Sequence, residues 1–215
     1  MSGITADLAL TEVTATLGPD LQPLSLRGVQ GRLGGRRLAS GFEFFTQALR
    51  FETADGLVWP GGNVFVSHAQ AEGRMPAIGE IRADQLDLQA LSRIASHLPL
   101  GTVTHGLLRD HATQGGVESL SLRWQGALPM PERYEARGRV RGLVLAAVAP
   151  GPPARPDDVP LGLPGFAGAT VDFDFNQAGG RLSLDIADGW LEFPGLFDEP
   201  RLPMRELAAE GQWQV

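Results

Sequence analysis

The chain has 215 residues, 43% of them apolar and 20% charged, enough for one sizeable domain with a buried core. Its 28 glycines and 16 prolines disfavour a helical bundle and favour short strands joined by turns. A net charge of −7 disfavours a nucleic-acid platform, and the absence of cysteine removes disulfide scaffolds, thiolate metal sites and cysteine nucleophiles. The longest strongly apolar run, Leu143 to Ala149, is far short of the roughly 20 residues that cross a bilayer. Met1 to Asp7 lacks the basic start and apolar stretch of a signal peptide.

In chain order, Leu8-Ala9-Leu10, Phe42-Glu43-Phe44, Leu49-Arg50-Phe51 and Val64-Phe65-Val66 alternate in the two-residue period of strands. From Asp87 to Leu98 the period changes. Leu88, Leu91, Ala95 and Leu98 fall on one helical face, Asp87 is placed to cap the start, and Pro99 ends the run. A second helical turn is expected over Val103 to Arg109. Leu120, Leu122 and Trp124 then alternate with polar residues. The segment from Ala149 to Gly165 holds six prolines and reads as a loop. Val171 to Phe175 and Leu182 to Ile186 alternate without error around Asn176–Arg181, which predicts a hairpin turning at Gly179-Gly180 with one apolar and one acidic face.

An internal echo runs across the chain. Residues 50–62 and 182–196 both carry Ala-Asp-Gly, an aromatic and Pro-Gly. This predicts a single segment of two similar strand units, at about 1–80 and 115–215, separated by a helical insert at about 85–112. Each echo would be a hairpin turning at Asp-Gly. The expected class is mainly β with a small helical insert (α+β): a curved antiparallel sheet forming an open, taco-like hydrophobic groove.

Catalytic signatures are lacking. There is no Gly-x-Ser-x-Gly elbow, P-loop or His-Glu-x-x-His. His105 and His111 are six apart, the wrong spacing for one metal on a helix, and His68 and His97 lie elsewhere. Asp172-x-Asp174 has the Asp-x-Asp spacing that holds a metal and a sugar nucleotide, but with Asp185 it reads better as the solvated face of an apolar strand. Glu80, Asp84 and Asp87 suit the acidic start of a helix. No catalytic residue, metal site or cofactor is assigned. What remains is apolar surface, with ten Phe and four Trp. Pattern alone fits both a core closed against a second layer and a face left open for an apolar ligand.

Several stretches, in order, resemble a known family: GFEFFTQALRFETADGLVWPGGNVFVSHAQ, IRADQLDLQALSRIASHLPL, SLRWQGALPMPERYEARGRVRGL and the segment from Leu163 to Trp213. Together with the Leu-Pro after the helix, the Trp-x-Gly strand end and the Pro-Gly-Phe loop, they are similar to the YhdP family of AsmA-like proteins over about residues 25–215. The resemblance implies a periplasmic β-groove of a long Gram-negative envelope protein. An inner-membrane helix anchors such proteins, and they carry phospholipid between inner and outer membranes, like the bridge-like lipid-transfer proteins of eukaryotes. Without that helix and far shorter than the family, this chain reads as an internal segment. Its partners would be phospholipid, the remaining segments of the same long protein and, through them, the two membranes; no nucleic acid is expected. The expected groove lining is Phe42, Phe44, Leu120, Leu122, Trp124, Val171, Phe173, Phe175, Leu182, Leu184 and Ile186, with the 87–98 helix capping one side through Leu88, Leu91 and Leu98. The competing expectation is a structural or protein-interaction β-domain with a closed core and no ligand.

Overall fold

The computed structural model describes residues 2–98, 113–128, 130–151 and 162–215. Ten long strands follow one another in a single meander: β1 (Ser2–Ala15), β2 (Leu24–Arg37), β3 (Gly41–Thr53), β5 (Asn63–Ala69), β6 (Ile78–Asp84), β8 (Gln114–Gln125), β9 (Arg133–Leu145), β10 (Gly165–Asn176), β11 (Gly179–Glu192) and β12 (Arg201–Gln214). Each pairs antiparallel with its neighbours in sequence. Two short strands, β4 (Val58–Trp59) and β7 (Leu86–Asp87), pair with β3 and β8. The sheet does not close, because β1 and β12 are its two edges. The second helical turn expected at Val103 to Arg109 and most of the proline-rich loop lie outside the described residues.

The register explains the chemistry of the sheet. Because successive side chains alternate in direction, residues paired across strands share a face. One such rung runs Leu33, Thr46, Val64, Ala83, Leu120, Gly138, Phe173, Leu182, Gly211. The next runs Gly35, Phe44, Val66, Ile81, Leu122, Ala136, Phe175, Gly180, Trp213. The opposite face carries directly paired charges: Asp7 with Arg32, Arg36 with Glu43, Glu80 with Arg123 and Asp172 with Arg139. A slip of one residue would turn every apolar side chain to the charged side, so register is strongly specified.

A band of left-handed residues crosses the sheet: Glu12, Gly31, Ala48, Gly62, Gln85, Gly115, Gly142, Gly168 and Asp188. It accompanies register shifts in the β2–β3, β8–β9 and β9–β10–β11 ladders. Bulges bend strands and tighten their twist, so this line is where the sheet folds over. Gly31 shows the constraint. Its φ is +141°, and a Cβ there would sit 2.7 Å from Leu49 Cα.

The helix α1 (Leu88–Ile94) continues into a 3-10 turn (Ala95–His97). Asp87 caps it as expected, accepting from the Ala90 amide at 2.9 Å. The helix is rotated from the sequence expectation. Ala90 and Ile94 are its innermost residues, packed with Leu24, Leu57 and Trp59, while Leu91 and Leu98 pack at the border and Leu88 lies outside that cluster. The i, i+4 pair Ala90/Ile94 fits a small surface and a branched one against the stacked rings of Phe51 and Trp59, which lie 5.5 Å apart.

Two further expectations are corrected. The β10–β11 hairpin turns at Gln177-Ala178, and Gly179-Gly180 begin β11. Asn176 Oδ1 accepts from the Ala178 amide, so an Asx turn closes the loop. The two Ala-Asp-Gly segments are also not equivalent. Asp55 lies in a turn after β3, whereas Asp188 is a left-handed residue inside β11.

Glycines on the apolar face serve as beds for aromatic rings. A Cβ on Gly79 would meet Trp124 Cζ2 at 2.0 Å, one on Gly138 would meet Phe173 Cζ at 2.6 Å, and one on Gly180 would meet Phe175 Cβ at 2.2 Å. Rings laid across neighbouring strands cover backbone and stay low on the sheet. Gly79→Ala therefore lifts the indole of Trp124. Urea unfolding is expected to show a loss of about 1–3 kcal/mol, while an alanine at the open Gly211 causes no comparable loss.

Candidate functional site

The candidate site is the apolar face itself. The register places Phe42, Phe44, Leu120, Leu122, Trp124, Val171, Phe173, Phe175, Leu182, Leu184 and Ile186 together on it. Phe42, Phe44 and Leu182 remain exposed, at 47%, 39% and 40%. Ile186 is the exception at 1%, packed beneath the surface against Ala169 and Leu207, so it offers a ligand no area. The same face holds residues outside the expected lining: Leu33, Val64, Val66, Ile81, Tyr134, Val140, Leu207 and Trp213. Val64 and Val66 were visible as alternation. Trp213 is one of the four tryptophans expected on an apolar face, whereas Tyr134 and Val140 needed the ladder.

Little protein among the described residues covers this face. Among the described residues, one cluster of buried apolar side chains exists, where α1 sits on β2, β3 and β4. Of the eleven buried apolar residues among those described, five are alanines, and Ile186 is the one large side chain that is fully enclosed. The rest of the face is half-buried by its own neighbours. Two aromatic groups stud it. Phe173, Phe175, Tyr134 and Trp213 form one, with ring centroids 5.7–6.3 Å apart. Phe42, His68 and Trp124 form the other, each step 6.3 Å.

One hollow, about 870 Å³, lies away from Phe173, at the ends of β3, β5, β6, β8 and β9. It is lined by inward residues such as His68, Trp124 and Tyr134, together with outward ones such as Glu43, Glu80 and Arg123. A smaller one, about 470 Å³, lies over Leu10, Val29, Phe51 and Trp59 near α1.

The acidic candidates are occupied elsewhere. Asp172 pairs with Arg139, and Asp174 stands opposite Arg137 and Arg181 on the outer face. Asp185 is exposed on that same face. Glu80 binds Arg123 and Arg82, Asp84 accepts from Asn63, and Asp87 caps α1. His97 contacts the Gln22 carbonyl at 3.1 Å, and His105 and His111 lie outside the described residues. Among the described residues, no three His, Asp or Glu side chains gather as a metal site.

An open antiparallel meander with one uncovered apolar face is the architecture that the family resemblance implies, and the sequence matches the YhdP protein family over residues 1–215. The chain belongs to the YhdP family. No curated protein and no solved structure matches it. The match covers the whole chain, including the first strand that the sequence resemblance left out. No helix among the described residues of this YhdP-family chain is long and apolar enough to cross a membrane.

The outer face of the YhdP-family sheet is held by arginine–carboxylate pairs. Arg32 bonds both oxygens of Asp7 at 2.7 and 3.0 Å and holds that carboxyl below the usual carboxylate range. Arg36 does the same to Glu43 at 2.5 and 3.0 Å. The hydroxyl of Thr53, followed by Arg93, lowers Asp55. Each folded pKa is depressed, so the stabilisation is present above the unfolded value and lost as pH falls through the folded one. The urea midpoint should fall with acid from about pH 4 downward. An Arg36→Gln variant should lose less on acidification than the parent. An equal acid loss in both would mean that this pair adds nothing to stability.

Proposed function

We propose that the chain shields the acyl chains of phospholipid in the trough, as a periplasmic segment of a bridge between the inner and outer membranes. The observation that supports this most is an apolar face that continues through ten strands while, among the described residues, a covering cluster sits at the α1 end alone. Each acyl methylene left in water costs about 0.8 kcal/mol, so a chain of about 16 carbons needs an unbroken apolar path. Alternating strands supply that path on one side and a charged, water-facing surface on the other. Such a face holds a chain by dispersion and area without directed bonds, so a lipid slides from rung to rung. No cofactor and no catalytic group enters this reading. The remaining segments of a longer protein would extend the trough from its two edge strands to the membranes.

A closed-core spacer is the second reading, and the α1 cluster favours it at that end of the sheet alone. The test uses a photo-crosslinking residue at Phe173 or at Asp174, adjacent positions on opposite faces. Phospholipid should label the first and spare the second; equal labelling contradicts the proposal. Phe173→Asp should still fold, with a modest drop in urea midpoint from the lost ring over Gly138, yet lose lipid uptake. A sealed core would instead lose several kcal/mol of stability from the buried charge.

A further inference from the structure

The two long margins of the trough differ in chemistry. The margin at α1 carries Asp20, Asp198 and Glu199, none of them in an ion pair among the described residues. At the other margin, the inward rung nearest the strand ends reads Arg37, Phe42, His68, Gly79, Trp124, Tyr134. One rung deeper, about 7 Å along the strands, it is hydrocarbon: Phe44, Val66, Ile81, Leu122. Side chains with an apolar body and a polar tip collect where an apolar phase meets water. The step from Phe and Ile to His, Trp and Tyr marks that boundary.

Arg37 closes this rung as a cation. Its neighbour Arg36 faces outward and is held by Glu43, whereas Arg37 is exposed, in register with Phe42, and has no carboxylate partner among the described residues. Arg74 and Arg133 also sit at this margin, but Glu72 and Glu132 accompany them in the same turns and offset their charge. Along the rung, the indole N–H of Trp124 is enclosed and finds no acceptor. Three strands separate that donor from Arg37, and it is shut off from solvent; the uncompensated cation by itself, at the edge of an apolar bed, fits a ligand that brings acceptor oxygens there.

We propose that Arg37 binds the phosphodiester of a glycerophospholipid whose chains lie on the trough, so that head groups leave at the Arg37–Tyr134 margin and not at the α1 margin. This rests on the trough reading above and adds the orientation of the lipid. The guanidinium supplies two donors to the phosphate oxygens, and the acidic α1 margin repels the same group.

The test compares uptake of fluorescent phosphatidylglycerol with that of same-chain diacylglycerol, from vesicles otherwise identical, by the full chain, Arg37→Gln and Arg181→Gln. Arg181 is an exposed arginine of the outer face without an ion pair. The parent should take up phosphatidylglycerol about tenfold better than diacylglycerol. Arg37→Gln should remove that preference and leave diacylglycerol uptake unchanged; Arg181→Gln should resemble the parent. Millimolar inorganic phosphate should not compete. Phosphatidylglycerol uptake by Arg37→Gln at the parent level overturns the head-group assignment alone. Competition by inorganic phosphate also overturns it, since the site would then be one for a free anion. Uptake of neither lipid by the parent overturns the trough reading and this assignment with it.

Discussion

Ten strands in continuous antiparallel register force every second side chain onto one side, and the sequence places hydrocarbon on that side along the whole path. A sheet with one apolar face ordinarily gains its stability by covering that face with a second layer. Here, within the described residues, the covering layer is one helix of seven residues and a 3-10 turn, seated on β2 to β4. The remainder of the structure answers this imbalance. Aromatic rings lie across glycines of adjacent strands and shelter backbone. Paired arginines and carboxylates on the outer face hold register where no core can do so.

Curvature is the second consequence. A flat ten-strand sheet would expose the whole apolar face to bulk water. The band of left-handed residues from Glu12 to Asp188 bends the strands along one line, and α1 sits beyond that line at one margin. The opposite margin keeps aromatic and basic side chains at its lip. The sheet thus has a hydrocarbon floor, a helical stop on one side and an amphipathic edge on the other. Under the proposed function, that asymmetry would give a phospholipid a defined way to lie.

Much of this was legible in the residues. Alternation at 171–175 and 182–186 located the most regular hairpin and its inward side chains. Asp87 and the change of period after it located the helix and its cap. The ordered family resemblance gave the groove architecture. What was not legible depended on neighbours distant in sequence. The rotation of α1 is set by the Phe51–Trp59 stack, which the 3.6 period cannot show. The left-handed positions Glu12, Ala48, Gln85 and Asp188 use residues with no left-handed signature. The hairpin turn moved to Gln177-Ala178 because the Asn176 side chain supplies the closing acceptor, leaving the glycines to lie beside Phe175 and Trp213. The Ala-Asp-Gly echo misled because the same tripeptide makes a turn at Asp55 and a bulge at Asp188. Ile186 is an alternation residue like Leu182, yet the bend encloses it.

The openness of the apolar face is most directly measured by thiol reactivity, since the chain contains no cysteine of its own. Single cysteines at Leu122 and at Ile94 would be treated with a water-soluble maleimide in lipid-free protein and again with phospholipid. The account predicts rapid labelling at position 122, protection there once lipid is added, and slow labelling at 94 throughout. Slow labelling at 122 in lipid-free, folded protein, matching 94, would mean that the face is sealed and would contradict the account.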